Sequence, residues 1–444
     1  MEGAKAILLR LFRRARGAMP SRSDSPRCAV DLAWWASPHA PGRKAVAVAL
    51  SFVLVAGVGS LAGCSSDLGG GESAAGVAVD GGEADSSGSA SDSGEAASFA
   101  EVAAAFDASA LDLDYSKRDA DASYDDASAV HIVLGGGSAS VEGDGATVDG
   151  STVTISTEGV YVVSGSLDDG QLAVEAPEDA KVQIVLAGAT IHNEDGPAVY
   201  VKQADKCFIT LADGTQNALT DGAEYVLEDG SDEPYATLFS RADLTLNGTG
   251  ALTVTSAYRH AVCSKDDLVI TGGTYVVNAV EDALRGRDCV KIADGDFTLI
   301  AGGDGIKSNK DTKATKGFVS IDGGTFVIEA GDDGIHAQTY LRIAGGDISI
   351  AAVDDALHSN LEGLLAGGAL DIEAGDDAFH VETKLVIDDG TVNVKACYEG
   401  YEAEKLYING GDTHIVASDD AINAAAADLG DDDADEAADA SVEA

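Results

Sequence analysis

Short segments in which apolar and polar residues alternate recur along most of the chain, and a glycine-rich turn divides many of them. Examples are residues 268–277 (LVITGGTYVV), 318–328 (FVSIDGGTFVI) and 341–350 (LRIAGGDISI). A period of two is typical of a strand with one buried face, and Gly-Gly supplies turns that need a positive φ. Weaker runs of the same kind begin near residue 129, so the pattern predicts an all-β protein.

A second repeat gives the length of the unit. An acidic residue followed by small and apolar residues recurs at intervals of 22, 29, 22, 22, 22 and 21 residues, at Asp282, Asp304, Asp333, Asp355, Asp377, Glu399 and Asp420. The long interval contains residues 310–317 (KDTKATKG), a polar segment that we expect to form a surface loop. A propeller blade needs about 40 residues and a leucine-rich repeat needs a fixed Leu/Asn pattern, so neither fits. We predict a right-handed parallel β-helix, a solenoid with about 22-residue coils, over residues 129–425.

The N-terminal part predicts export and lipidation. Residues 43–64 (RKAVAVALSFVLVAGVGSLAGC) place a basic segment, a short apolar run and small residues before Cys64. This order is typical of a lipoprotein signal peptide. We therefore expect residues 1–63 to be removed and Cys64 to be acylated, which would anchor the protein to the extracellular side of the cell membrane. The alternative is an ordinary signal peptide or signal anchor with an incidental cysteine.

Two further segments lack the apolar residues needed for a core. Residues 64–128 are rich in Gly, Ser and Asp and predict a flexible tether, and residues 426–444 predict a disordered acidic tail. Four cysteines remain outside the leader, without metal-binding spacing. We expect them to be buried and leave their pairing open; they are Cys207, Cys263, Cys289 and Cys397.

The formal net charge of −48 limits the partners of the protein. Nucleic acid is excluded, because its binding depends on Lys and Arg that neutralise phosphates. Cations are favoured, either as bound metal or as counter-ions. We expect a monomer.

In a coil of 22 residues, equivalent positions stack in columns about 4.8 Å apart. Stacked carboxylates repel each other unless a cation lies between them, and Ca²⁺ suits such oxygen-rich sites. The alternative is that these residues only complete turns through hydrogen bonds to backbone amides. The predicted calcium ligands occupy two adjacent columns and are Glu281, Asp282, Asp304, Asp332, Asp333, Asp354, Asp355, Asp376, Asp377, Glu399, Asp419 and Asp420.

A third column lies three residues after the acids and contains Arg285, Lys307, His336, His358 and His380. The histidines can stack, interact with the acids, or bind a transition metal, and these alternatives stay open. All five residues are candidates for ligand binding, and the cations Arg285 and Lys307 could contact an acidic sugar. Tyr398 and Tyr401 are candidates for contact with sugar rings.

The motifs GDDGIHA (331–337), VDDALHS (353–359), GDDAFHV (375–381) and SDDAINA (418–424) resemble a family of bacterial surface carbohydrate-binding proteins. Its characterised clostridial member is a right-handed parallel β-helix similar in shape to pectate lyases. The resemblance covers roughly residues 130–425 and implies calcium, with polygalacturonate and cellulose as ligands. It implies calcium roles for Asp332, Asp333, Asp354, Asp355, Asp376, Asp377, Asp419 and Asp420. Gly303 and Tyr398 interrupt the pattern.

Three functions follow as hypotheses. The first is a non-catalytic module that binds acidic polysaccharide through calcium. The second is a Ca²⁺-dependent polysaccharide lyase, with Lys307, Arg285 or Arg287 as the base. The third is a structural adhesin or spacer that calcium stiffens.

Overall fold

The computed structural model describes residues 28–33 and 98–424. These residues form a nearly all-β solenoid of about 12 turns with coils of about 23 residues, consistent with a parallel β-helix. The predicted fold class and coil length are therefore confirmed. Each regular coil contributes one strand to each of three faces, which we number 1 to 3.

Strands on each face pair in parallel with their equivalents in the next coil. Face 1 consists of Val130–Gly136, Gly159–Leu167, Lys181–Asn193, Lys206–Leu211, Asp243–Gly248, Asp267–Ile270, Cys289–Ile292, Phe318–Ile321, Tyr340–Ile343, Glu362–Leu365 and the second halves of Phe379–Ile387 and Tyr401–Ile408. Face 2 consists of the ends of Gly159–Leu167 and Lys181–Asn193, then Gln216–Asp221, Ala251–Thr255, Thr274–Ala279, Asp296–Ala301, Thr325–Ala330, Asp347–Ala352, Ala369–Glu373, Thr391–Cys397 and Asp412–Ala417. Face 3 consists of Thr152–Ile155, Gln171–Glu175, Val199–Gln203, Ala236–Ser240, His260–Ser264, Leu284–Gly286, Ile306–Ser308, Ile335–Ala337, Leu357–Ser359, the first halves of Phe379–Ile387 and Tyr401–Ile408, and Ile422–Asn423.

The solenoid interior is filled by the apolar residues of the alternating pattern. In face 2, Phe326 lies beside Ile348 and Ile328 beside Ile350 in successive strands, and all four are buried. Aromatic side chains also stack along the axis: the rings of Phe297 and Phe326 are 4.6 Å apart and nearly parallel. Burial of these columns provides the main stabilisation, because the hydrophobic effect scales with the apolar area removed from water.

The Gly-Gly turns lie where two coils approach closely. Gly324 and Gly346 occupy equivalent positions with φ values of 105° and 102°. A Cβ atom on Gly346 would lie 3.0 Å from the carbonyl oxygen of Gly324. Both the positive φ and the close contact therefore favour glycine at this corner.

The ends of the solenoid depart from the parallel pattern. At the first coils, Ala139–Glu142 and Ala146–Asp149 form antiparallel pairs with strands of faces 1 and 3. At the other end, Cys28–Ala33 pairs antiparallel with Asp412–Ala417. That short strand belongs to the predicted signal peptide, whose other residues lie outside the described part, as do residues 64–97 and 425–444.

Within the described ranges, none of the helices is long and apolar enough to cross a membrane. The four predicted core cysteines are all buried and none forms a disulfide.

The prediction of a flexible tether was wrong for residues 98–128, which we call the strap. The strap contains the helices Phe99–Ala104 and Lys117–Ala120 and the 3₁₀ turn Ala108–Ala110, and it lies across the outer side of face 1. Leu111 packs in a small apolar cluster with Cys289, Phe318 and Tyr340. The composition of the strap is poor in apolar residues, but face 1 supplies the missing partners.

A buried carboxylate fixes the strap. Asp119 is only 3% exposed, and its Oδ1 lies 2.7 Å from Lys206 Nζ and accepts a hydrogen bond from Thr245 Oγ1 at 2.7 Å. The Asp119 carbonyl accepts a hydrogen bond from Asn247. These contacts outweigh burial and hold the Asp119 pKa below its ordinary value, so the charged form stabilises the folded state.

We expect Asp119→Ala to lower the free energy of unfolding by about 3 kcal/mol, because removal of one partner leaves Lys206 buried without its counter-ion. Urea denaturation measures the change, and limited proteolysis should cut the strap faster. Asp121→Ala alters an exposed residue of the same segment and should change stability by about 0.5 kcal/mol or less. Equal losses in the two variants would contradict the anchoring role of Asp119.

Candidate functional site

The turn that joins face 2 to face 3 carries the two acidic columns, which stack as predicted. Successive turns are joined by backbone hydrogen bonds, including Asp376 N to Asp354 O at 3.2 Å and Asp419 N to Tyr398 O at 3.0 Å. We call the two columns inner and outer. The inner column holds Asp282, Asp304, Asp333, Asp355, Asp377, Glu399 and Asp420, and the outer column holds Glu281, Gly303, Asp332, Asp354, Asp376, Tyr398 and Asp419.

The inner aspartates form a ladder of side chain to backbone hydrogen bonds. Asp355 Oδ1 accepts the backbone N–H of Asp377 at 2.9 Å, and Asp333 Oδ1 accepts that of Asp355 at 3.2 Å. The same bond recurs at each step from Asp282 to Glu399. One carboxylate oxygen therefore completes the next turn, as the turn-chemistry alternative requires, while Asp420 at the end is exposed.

The second oxygen of each inner aspartate from Asp282 to Asp377 faces the third column. Lys307 Nζ lies 2.7 Å from Asp304 Oδ2, and Arg285 Nη1 lies 3.1 Å from Asp282 Oδ2. In the next three coils histidine takes this role, and Nδ1 lies 2.9 to 3.2 Å from the aspartate three residues earlier. The predicted interaction between this column and the acids is thus present in five successive coils.

The histidines also stack on one another. The ring centroids of His336 and His358 are 4.5 Å apart with an angle of 2° between the planes, and those of His358 and His380 are 4.9 Å apart. Nδ1 of His358 lies between Asp333 at 3.3 Å and Asp355 at 3.1 Å. Burial opposes the charged form, but the two carboxylates outweigh it and raise the His358 pKa to about 10.

The third column continues into Glu402 and Asn423, which stand where the preceding coils have arginine, lysine or histidine. Burial and the nearby Asp377 raise the Glu402 pKa to about 7.

At the opposite end, His260 has a role that sequence reasoning missed. It occupies the inner position one coil before Asp282, and its Nδ1 accepts the backbone N–H of Asp282 at 3.1 Å. Burial lowers the His260 pKa to about 3, so the neutral ring begins the ladder. The 22-residue spacing from Asp282 was the signal that could have identified it.

The outer aspartates are exposed and lie among other carboxylates. Oxygen atoms of Asp354, Asp355 and Asp376 lie within 4.8 Å of one another, as do those of Asp304, Asp332 and Asp333. Partial burial and the charges of neighbouring aspartates, first Asp355, raise the Asp354 pKa to about 6. The pKa of Asp376 is raised for the same reasons. Repulsion is therefore concentrated in these coils.

The remaining outer positions differ. Glu281 pairs with Arg259 at 2.9 Å, Gly303 has no side chain, and the hydroxyl of Tyr398 donates to Asp419 at 2.7 Å. The structure thus brings together the acids from Asp332 to Asp377 most closely.

Only one of the two tyrosines predicted to contact sugar is on the surface. Tyr398 is 47% exposed, but Tyr401 is fully buried, its ring packing edge-on against Phe379. The prediction for Tyr401 was wrong because this residue lies two positions after the inner acid. That position points into the core in the preceding coils, where it is occupied by the buried Leu284, Ile306, Ile335, Leu357 and Phe379, whereas Ile422 in the last described coil is exposed.

The raised His358 pKa predicts a pH dependence of stability. The folded-state pKa of about 10 lies above the ordinary value of about 6.5. The stabilisation is therefore fully present below about pH 6.5 and is lost as the pH rises through about 10. Melting temperatures measured across this range in a chelating buffer should fall more for the unmodified protein than for His358→Gln. His131→Gln, outside the stack, should follow the unmodified protein, and parallel curves for all three would contradict the charged ladder.

Comparison with known proteins places this geometry in a family. A family model described as "Carbohydrate-binding domain-containing protein" matches residues 149–363 and 363–434. A protein of that description from Acetivibrio thermocellus is 38% identical over 120 residues, which are 27% of this chain and 42% of that relative, so the chain spans less than half of its length. The solved structure of a "polysaccharide lyase-like protein from C. thermocellum, Gadolinium derivative" matches with a TM-score of 0.50 and 32% identity, over 57% of this chain and 96% of that one. The chain belongs to the family of carbohydrate-binding domain-containing proteins.

Proposed function

We propose that the protein is a cell-surface lipoprotein that binds acidic polysaccharide, of the polygalacturonate type, through Ca²⁺ held at the acidic turns. One observation carries the proposal: in a carbohydrate-binding domain, carboxylate oxygens of Asp354, Asp355 and Asp376, which come from successive coils, lie within 4.8 Å of one another. A row of carboxylates repels an acidic sugar unless a cation lies between the protein and the sugar.

The donor set fits calcium. Each cluster offers carboxylate oxygens from successive turns, and Ca²⁺ takes six to eight oxygen ligands with flexible geometry. Inner aspartates use one oxygen for a backbone N–H, so the outer Asp332, Asp354 and Asp376 would supply most of the binding.

The side chains around the clusters would fix their orientation. The backbone N–H and histidine contacts hold the inner carboxylates in place, so little side-chain entropy remains to be lost on binding. Bound Ca²⁺ would neutralise the outer acids and leave ligand positions for uronate carboxylates. Tyr398, exposed at the same edge, offers a ring face to a sugar.

The lipid anchor and the location outside the cell rest on the sequence alone. Cys64 lies outside the described residues, and the order of basic, apolar and small residues before it supports the assignment. Acylation of Cys64 would make the membrane the second partner of the protein.

We expect Asp354→Asn/Asp376→Asn to weaken binding to polygalacturonate about tenfold or more in the presence of Ca²⁺, because the change removes two oxygen ligands and their charge. Affinity electrophoresis in gels that contain polygalacturonate measures the loss, and EGTA should abolish binding by the unmodified protein.

A matched control is Asp296→Asn/Asp347→Asn, which removes the same charge from exposed positions at the start of face 2 strands. It should bind as the unmodified protein does. Equal weakening in both variants, or binding that persists in EGTA, would refute a calcium-mediated site at the turns.

A lyase is the second candidate, favoured by the similarity to a polysaccharide lyase-like structure. The proposed bases are poorly suited to proton removal. Arg285 and Lys307 both pair with inner aspartates, and, although burial opposes it, Asp304 and Asp282 raise the Lys307 pKa. Incubation with polygalacturonate and Ca²⁺ should give no rise in ultraviolet absorbance from unsaturated uronate, and sustained turnover would establish the lyase.

The third candidate, a structural spacer, predicts a different result. Calcium would raise the melting temperature while every acidic polysaccharide tested failed to bind.

A further inference from the structure

The outer edge of the histidine stack differs chemically from the acidic turns. The aspartates of the inner column engage Nδ1 of His358 and His380. The other nitrogen of His380 faces a different carboxylate, because its Nε2 lies 3.5 Å from Glu382 Oε1. One potential ligand atom from each of His358, His380 and Glu382 lies within 4.8 Å of the other two.

The strand geometry explains why a carboxylate stands at this point. His380 and Glu382 are two residues apart in the strand Phe379–Ile387, so their side chains project from the same side. The equivalent residues in preceding coils are the amides Asn309, Gln338 and Asn360. Glu382 is thus the acid that this column places beside a stacked pair of histidines.

We propose that His358, His380 and Glu382 form a site for a divalent transition-metal ion of the zinc class, separate from the proposed calcium sites. Two imidazole nitrogens and one carboxylate are a donor set that suits Zn²⁺ or Cu²⁺, whereas Ca²⁺ prefers oxygen alone. Three protein ligands leave a coordination position open to solvent. All three side chains are half-buried, so an ion reaches them from outside.

The hydrogen bonds made by the other ring nitrogen of each histidine also fit a metal site. Histidine ligands commonly donate their other ring N–H to a carboxylate, which fixes the ring and strengthens its binding. Asp355 and Asp377 occupy that place here, at 3.1 and 3.2 Å from Nδ1 of His358 and His380. The rings are therefore oriented before an ion arrives, and each ring nitrogen that binds the ion would release its proton to solvent.

A bound ion would connect neighbouring coils. His358 lies in Leu357–Ser359, and His380 and Glu382 lie in the paired strand of the next coil. Because the folded state alone presents this ligand set, metal binding should stabilise the solenoid. The proposal does not depend on calcium or polysaccharide binding, and it stands if the proposed function fails.

The test is a titration of the full chain, without an affinity tag, with Zn²⁺ in the presence of excess Ca²⁺, followed by calorimetry. We expect one Zn²⁺ per chain, with a rise in melting temperature. His358→Gln/His380→Gln should abolish this binding, and Glu382→Gln should weaken it about tenfold or more. Cu²⁺ in place of Zn²⁺ should show two coordinated imidazole nitrogens by pulsed electron paramagnetic resonance.

His131→Gln removes a half-buried histidine outside the stack and should leave binding unchanged. His336→Gln tests the position within the stack and should retain most of the Zn²⁺ affinity, because Gln338 stands where Glu382 stands two coils later. Displacement of Zn²⁺ by Ca²⁺, equal loss in His131→Gln, or Cu²⁺ coordinated by fewer than two nitrogens would each overturn the proposal.

Discussion

The hydrogen bonding between successive coils is the constraint on which the other features of this protein depend. It places each residue beside its equivalent in the next coil, so that a residue type repeated in the sequence becomes a column of chemically similar side chains. Phe326 beside Ile348 shows the effect in the core, and Asp333 beside Asp355 shows it at the turn. Stacking of apolar residues stabilises the folded state, whereas stacking of like charges destabilises it.

At the acidic turns, contacts of the inner aspartates reduce the repulsion between stacked carboxylates. Each inner aspartate from Asp282 to Asp377 gives one oxygen to a backbone N–H and directs the other at an arginine, lysine or histidine three residues ahead. The outer aspartates have carboxylates as close neighbours, and the Asp354 pKa rises accordingly. A protein under selection for stability alone would gain by replacing them. This cost supports the proposal that an external cation and ligand bind at these turns.

Sequence reasoning predicted the coil length, the stacked columns and the burial of the cysteines, because each follows from a period that can be counted. It failed for Tyr401, although the count from Glu399 places that residue in a core column. It also failed for the strap, where Asp119 and Leu111 find their partners more than 80 residues away. Such contacts leave no local pattern, since polar residues alone cannot indicate which surface will satisfy them.

The strap has a mechanical consequence. It runs against the direction of coil growth, from the contact of Phe106 with Tyr340 to the Lys206 pair of Asp119, before the chain enters the first coil. A pull on the chain ahead of residue 98 would therefore act first on side-chain contacts spread over several coils. The strap would have to detach, first from Tyr340 and last from Lys206, before any force reached the strands of the first coil. It would therefore protect the first coil from unfolding under force.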